Sequence, residues 1–308
     1  MHKYVIKRLL MLIPVVLGVS FMVFFIMNLT PGDPARTILG DTAPQESVDA
    51  LREELGLNDP LLVRYLNYMK DLLHGDLGDS YKSGRPVFTE IMGRFPITIK
   101  LAFWGMVIAV GMSIPIGIIS ATKQYSLIDS ISMVVALLGV ATPNFWLGLM
   151  LIIAFSLHLG WLPAGGVDSW SSYILPAITV GTGCAANITR TTRSSMLEVI
   201  RQDYIRTAKA KGVSKKKVIR KHALKNALIP VVTVIGLQFG QLLGGAVLTE
   251  TVFSMGGVGT FMVNSIKAKD TPAVLGCVII FSICFSIVNL CVDILYAFID
   301  PRIKSEYQ

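Results

Sequence analysis

The sequence predicts an all-α integral membrane protein. It has six transmembrane helices, N and C termini in the cytoplasm, and a helical extracytoplasmic insertion after helix one. Three observations predict this. Only 16% of the 308 residues are charged, 53% are hydrophobic, and mean hydropathy is +0.61; a soluble domain carries about 25% charged residues. The stretches 9–32, 101–122, 130–167, 169–189, 226–249 and 271–292 contain no Asp, Glu, Lys or Arg. A helix needs about 20 apolar residues to cross a hydrocarbon core about 30 Å thick. The third observation is an uneven spread of Lys and Arg between the loops. Together these exclude a disordered chain and argue against a soluble enzyme.

The loop charges orient the spans. Segment 190–225 carries twelve Lys or Arg and two acids, Glu198 and Asp203. Segment 30–96 carries seven bases and eleven acids. The positive-inside rule places 190–225 in the cytoplasm with both termini. Loop 158–172, which lacks Lys and Arg, then falls outside. The net charge of +8 is a consequence of topology. No aromatic stacking platform accompanies the basic loop, so no nucleic acid is expected as a partner.

Helix one opens on Lys3, Lys7 and Arg8. Its apolar stretch exceeds the h-region of a signal peptide and no small-x-small site follows, so it is read as retained. Residues 1–30 form this helix. Residues 31–96 form the extracytoplasmic segment, and 97–308 a five-helix core. The outer segment opens on the turn signal Pro31-Gly32-Asp33-Pro34. Two helices follow, 46–55 stopped by Gly56, and 60–73 with Asp59 as N-cap and Pro60 as first residue. In the second, Leu62, Tyr65, Leu66, Met69 and Leu73 recur at helical steps. A third short helix is expected after Pro86.

Within the core, Pro143-Asn144 interrupts helix three. Proline frees a backbone carbonyl, which in lipid needs a partner from the protein; Thr142 and Asn144 are the candidates. The bend either lines a pathway or is a packing kink. Helix five carries Gly236, Gly240 and Gly244 at steps of four, a strip that lets helices approach closely. Gln238 lies beside it and Glu250 at its outer end. With Asn144, these are the candidate pathway residues, on polarity and position. Cys184, Cys277, Cys284 and Cys291 all lie in spans. They read as small buried residues, not as a metal path.

Residues 203–230 are the most informative stretch. A short helix ends at Gly212, a good C′ residue. Ser214 then caps a second, whose first turn holds Lys215, Lys216 and Lys217. Cations there oppose the helix dipole, which points to an anionic surface, either membrane lipid headgroups or an acidic partner protein.

This loop resembles the conserved cytoplasmic loop of bacterial ABC-importer permeases, a Glu-Ala-Ala, three residues, Gly pattern. Aligned on Gly212, Ala208 takes the second alanine, Thr207 replaces the first and Arg206 replaces the glutamate. Leu228-Ile229-Pro230 matches the family's ending. Arg206-Thr207-Ala208 after Tyr204 resembles the dipeptide, oligopeptide and nickel branch. So do Leu29-Thr30-Pro31-Gly32-Asp33-Pro34, Leu55-Gly56-Leu57-Asn58-Asp59-Pro60 and Gly75-Asp76-Leu77-Gly78. Further along, Pro143-Asn144-Phe145-Trp146-Leu147-Gly148, Gly160-Trp161-Leu162-Pro163 and Glu250-Thr251-Val252-Phe253 are similar to it as well. Met255-Gly256-Gly257 departs from the branch's aromatic-Pro-Gly.

The resemblance implies a second homologous permease subunit, two ABC ATPase subunits and an extracytoplasmic substrate-binding protein, in the bacterial cytoplasmic membrane. Tyr204, Arg206, Thr207, Ala208, Ala210 and Gly212 would then form the ATPase-coupling loop. The chain has no Gly-Lys pair and hence no Walker A motif, so it is not expected to be an enzyme. No cofactor is expected on it; ATP and magnesium belong to the partner ATPases. The expected cargo is a small peptide, a dipeptide, oligopeptide or glutathione. A nickel complex is the alternative within the family. An ion-coupled secondary transporter is the alternative outside it, but the spans lack midplane charges.

Overall fold

The computed structural model describes residues 2–40 and 42–299 and is helical throughout. Helix α1 (His2–Leu29) leads to the outer segment with α2 (Pro34–Leu39), α3 (Gln45–Glu54) and α4 (Leu61–Leu73). Asp33 caps α2 by accepting from Ala35 N at 3.1 Å, and Pro34 supplies its first residue. Helix α3 ends where Gly56 adopts φ +61°, a left-handed turn that glycine takes without strain.

Helix α4 starts one residue later than expected. Pro60 is extended at ψ 139° and stands as the cap residue, so Asp59 is not the N-cap. Asp59 N instead donates to Gly56 O at 3.3 Å, closing the preceding turn. Of the apolar stripe, Tyr65 and Met69 are buried while Leu62, Leu66 and Leu73 stay exposed. Tyr65 is the anchor. Its hydroxyl meets Leu17 O and Ser20 Oγ of α1, each at 3.0 Å, and its ring packs edge-on to Phe21.

The expected short helix after Pro86 is the first part of α5 (Val87–Thr122), a single helix of 36 residues. At 1.5 Å per residue it is about 54 Å long, and it runs straight through position 96/97. Helix α6 (Leu127–Ala141) and α7 (Asn144–Leu151, continuing in a π turn to His158) are bent by 100° at Thr142-Pro143. This break is sharper than the expected kink. Thr142 Oγ1 donates to Leu138 O at 2.7 Å, a carbonyl that already accepts from Thr142 N, so this bond does not serve the Gly139 carbonyl that Pro143 frees.

Helix α8 (Ile174–Ile200) packs along α5 as the centre of the core. Glycine decides how closely. A Cβ on Gly181 would lie 2.7 Å from Gly105 O, and one on Gly117 would lie 2.6 Å from Thr192 Cβ. Helices α9 (Asp203–Ala210) and α10 (Lys215–Lys217) follow. Helix α10 continues through a π turn into α11 (Leu224–Gly245), so the lysine run begins a membrane helix and not a separate one. Helices α12 (Val247–Val252), α13 (Val258–Lys267) and α14 (Thr271–Ile299) complete the chain.

Among the described residues, four helices are long and apolar enough to cross a membrane, five with the bent pair as one span. The expected six includes α8, which is absent from that set. It carries Thr179, Thr182, Asn187 and Thr189, of which Thr179 and Thr189 are buried against neighbouring helices, and an exposed Arg190. The ends of the bundle are pinned by polar clusters. Arg193 donates to both carboxylate oxygens of buried Asp129, at 2.7 and 2.8 Å, and Ser120 adds a third bond. This joins α5, α6 and α8. Arg8 pairs with Asp293 at 2.7 Å, joining α1 to α14.

Candidate functional site

The loop between α8 and α11 is built around one buried side chain. Ile205 of α9 is fully buried in a cluster with Ala121, Met196, Val218, Ala223 and Ala227, from the ends of α5, α8 and α11. Burying an isoleucine stabilises by about 1.5–3 kcal/mol. Helix α9 is only eight residues long, too short to be stable alone, so this anchor fixes it across three helix ends. Its other residues face outward. Arg206, Thr207 and Ala210 are exposed, and Ala208 is half-buried against the anchor cluster. Arg206 pairs only loosely with Asp203, at 3.7 Å, with both side chains solvated. Tyr204 is half-exposed, and its hydroxyl accepts from Asn226 Nδ2 at 2.7 Å, tying α9 to α11.

The loop turns at Gly212, whose φ of +79° explains the glycine; a Cβ there meets nothing within 4 Å. Ser214 precedes α10 with extended backbone but makes no side-chain cap bond. Lys215, Lys216 and Lys217 are exposed, close to α9 in the chain. The loop therefore presents a short helix with small residues, flanked by cations.

The other expected site residues are scattered. Asn144 sits at the bend, with its amide oxygen 2.9 Å from where a Gly183 Cβ would lie on α8. Gln238 is half-buried next to the Cys184 thiol of α8. Glu250 is not on an open surface. It is fully buried and accepts from Thr98 Oγ1 at 2.6 Å and Thr260 N at 3.0 Å. Thr98 Oγ1 in turn accepts from Val258 N at 3.0 Å. Burial pushes the Glu250 carboxyl above its ordinary value, and these hydrogen bonds oppose the shift. Glu250 thus locks the first turn of α13 onto α5, which polarity alone cannot distinguish from a pathway role. Of the glycine strip, Gly236 lies against Val292 and Gly240 against Phe285, both on α14. A Cβ on Gly244 meets nothing within 4 Å, so within this chain the strip has two packing members and not three.

Comparison with known proteins places this architecture. A family model described as the binding-protein-dependent transport system inner membrane component matches residues 113–305. A second, for the N-terminal part of such membrane components, matches residues 1–102. The chain belongs to this family. The permease is 46% identical to the dipeptide transport system permease protein DppB of Alkalihalophilus pseudofirmus, over 99% of this chain and all of that protein. It is equally similar, at 46%, to the glutathione transport system permease protein GsiC of Escherichia coli, over 99% of both chains. Inward-facing structures of the methionine ABC transporter MetNI share its fold, with a TM-score of 0.56 at 16% identity. The likeness covers 69% of this chain and 97% of that one. The expectation of a multi-pass inner-membrane permease subunit of an ABC importer is borne out.

Proposed function

We propose that this permease moves small peptides of dipeptide to glutathione size across the inner membrane, driven by ATP hydrolysis in separate subunits. A second homologous permease completes the membrane pore, two ATPase subunits bind its cytoplasmic face, and an extracytoplasmic binding protein delivers the peptide. ATP and magnesium act in the ATPase subunits. The near-full-length similarity to permeases named for dipeptide and glutathione transport supports the cargo class. The observation that carries the coupling role is the anchoring of α9 by Ile205. A short helix held by one buried residue across the ends of α5, α8 and α11 moves with those helices. A closing ATPase pair that grips Tyr204, Arg206, Thr207, Ala208 and Ala210 therefore biases the bundle between two arrangements. Gly212 sets the turn that presents this helix. The test is ATP-dependent uptake of a labelled dipeptide into proteoliposomes holding the complete transporter, with and without Gly212→Arg. Uptake abolished together with co-purification of the ATPase subunits supports the reading. Uptake that needs no ATPase subunit overturns it.

A further inference from the structure

Several ionised groups on this part of the fold are satisfied by the protein itself. Glu250 and Asp270 each accept two or more hydrogen bonds, and Arg52 and Arg94 are ion-paired. Lys100 and Asp168 are two of those that are not. Neither makes a hydrogen bond or ion pair among the described residues. Both line one cavity of about 550 Å³, together with Trp104, Ser169, Trp170 and Tyr173. Ligand sites typically enclose about 300–1,000 Å³, mostly apolar, with a few placed polar groups.

The same corner of the fold positions the backbone of both residues at the cavity wall. Lys100 stands two residues beyond Thr98, which Glu250 fixes. Asp168 stands two residues beyond Gly166, whose N–H donates to Phe253 O at 2.9 Å, just after α12. Gly165 abuts the same carbonyl so closely that no side chain fits. The α12–α13 corner therefore holds the α5 wall and the 165–170 loop in register. The cavity lies partway along α5, against Lys100, Trp104 and Ile108, and Lys100 is the last charge before the uncharged run 101–122.

One cation and one anion among the residues lining an aromatic-rich space match the chemistry of a zwitterion. A carboxylate takes the ammonium of Lys100. An ammonium takes the carboxylate of Asp168 and gains from the ring faces of Trp104 and Trp170. A polyanion fits poorly, since Asp168 repels it, and a metal ion finds a single carboxylate. We propose that this cavity receives a small peptide by its free termini, the carboxylate on Lys100 and the ammonium on Asp168. The proposal rests on the peptide-permease reading and adds a location and a recognition rule to it. A zwitterionic phospholipid headgroup shares this chemistry, so the test separates the two.

The test uses the complete transporter in lipid nanodiscs without its binding protein, titrated with dialanine while tryptophan fluorescence is followed. A saturable change is expected, lost in Trp170→Phe combined with Trp104→Phe. N-acetyl-dialanine and dialanine amide should each bind about tenfold more weakly, the loss of one charge-assisted bond. In Asp168→Asn the acetylation penalty should vanish while the amidation penalty stays, and in Lys100→Met the reverse. A merely structural role for either residue would not exchange these preferences. A flat titration in a transporter that still imports dialanine with ATP and its binding protein overturns the site and leaves the permease reading intact. A response that follows phosphatidylethanolamine content and ignores dialanine assigns the cavity to lipid and overturns the proposal. A transporter that imports no dialanine in any form removes the peptide reading, and this site with it.

Discussion

Thr98 and Glu250, 152 residues apart in sequence, are joined by a buried hydrogen bond of 2.6 Å from Oγ1 to Oε1. The carboxylate also receives Thr260 N, and the same hydroxyl accepts Val258 N. One side-chain pair thus fixes the first turn of α13 to the outer part of α5. Replacing Thr98 by Val keeps the shape and removes the hydroxyl, which leaves both the carboxylate and the Val258 N–H short of a partner. Bonds to charged groups contribute about 1.5–3 kcal/mol. Thr98→Val should destabilise the purified permease by that amount, seen as a lower unfolding temperature in detergent. An unchanged midpoint would mean that the corner is held by packing alone.

The same carboxyl gives a pH prediction. Its folded-state pKa lies above the ordinary value, with burial as the largest cause. The folded form therefore prefers the protonated carboxyl. Its contribution to stability is fully present below the ordinary glutamate pKa and is lost as pH rises through the folded pKa. Glu250→Gln, which stays neutral, should flatten the decline of unfolding temperature between acidic and neutral pH. The decisive readout is the difference in slope between the two proteins, because other groups titrate equally in both.

At the opposite end, Arg193 and Asp129 form a two-pronged pair with Ser120 as a third partner. Removing one member strands a buried charge, which costs about 3–5 kcal/mol. Arg193→Met should therefore be more damaging than the double variant Arg193→Met with Asp129→Leu. Chemical unfolding of the wild type, each single variant and the double variant checks the order. A double variant as unstable as the sum of the singles would rule out coupling.

How much of this was legible in the sequence depends on what each residue had to reveal. Uncharged runs pointed to the helical membrane class, since lipid exposure writes itself into composition. The short helix before Gly212 was visible because a left-handed turn selects glycine. Ile205 was not, because its partners come from 121, 196, 218, 223 and 227, brought together only by the fold. Glu250 looked like a pathway residue because position along a span does not say which neighbour a carboxylate meets. The most apolar-looking rule failed at α8, where a central helix buried by others tolerates Thr and Asn. Lys100 and Asp168 carry no spacing signal at all, being 68 residues apart.

The anchor of α9 yields a functional prediction. Ile205→Ala removes the only fully buried side chain of that helix, at a cost of about 2–5 kcal/mol to local packing. The cluster's remaining members keep the membrane bundle intact. The variant should insert and retain its unfolding midpoint for the bundle, yet lose peptide-stimulated ATP hydrolysis by about tenfold or more, if 1.4 kcal/mol or more of the loss falls on coupling. Limited proteolysis within 201–214 should accelerate in parallel. Normal stimulation with rapid cleavage would separate the helix from coupling.

Glycine contacts supply the last contrast, because two positions look alike in sequence and differ in the fold. Gly105 of α5 packs on Val180 of α8 so closely that a Cβ cannot be placed without displacement, and Gly181 lies across from it. Gly244 of α11 has open space around it within this chain. Gly105→Ala should therefore destabilise by about 1–3 kcal/mol through overpacking. Gly105→Ala combined with Val180→Ala should recover part of that loss, since the displaced methyl is removed. Gly244→Ala should be neutral or raise stability by up to about 1 kcal/mol, because alanine is the better helix former. Unfolding midpoints of the isolated permease order the three. Transport by Gly244→Ala then reports on the assembled pore. If the variant is stable alone but inactive in the complex, the open space beside Gly244 is filled by the second permease subunit, and the glycine serves a contact between subunits.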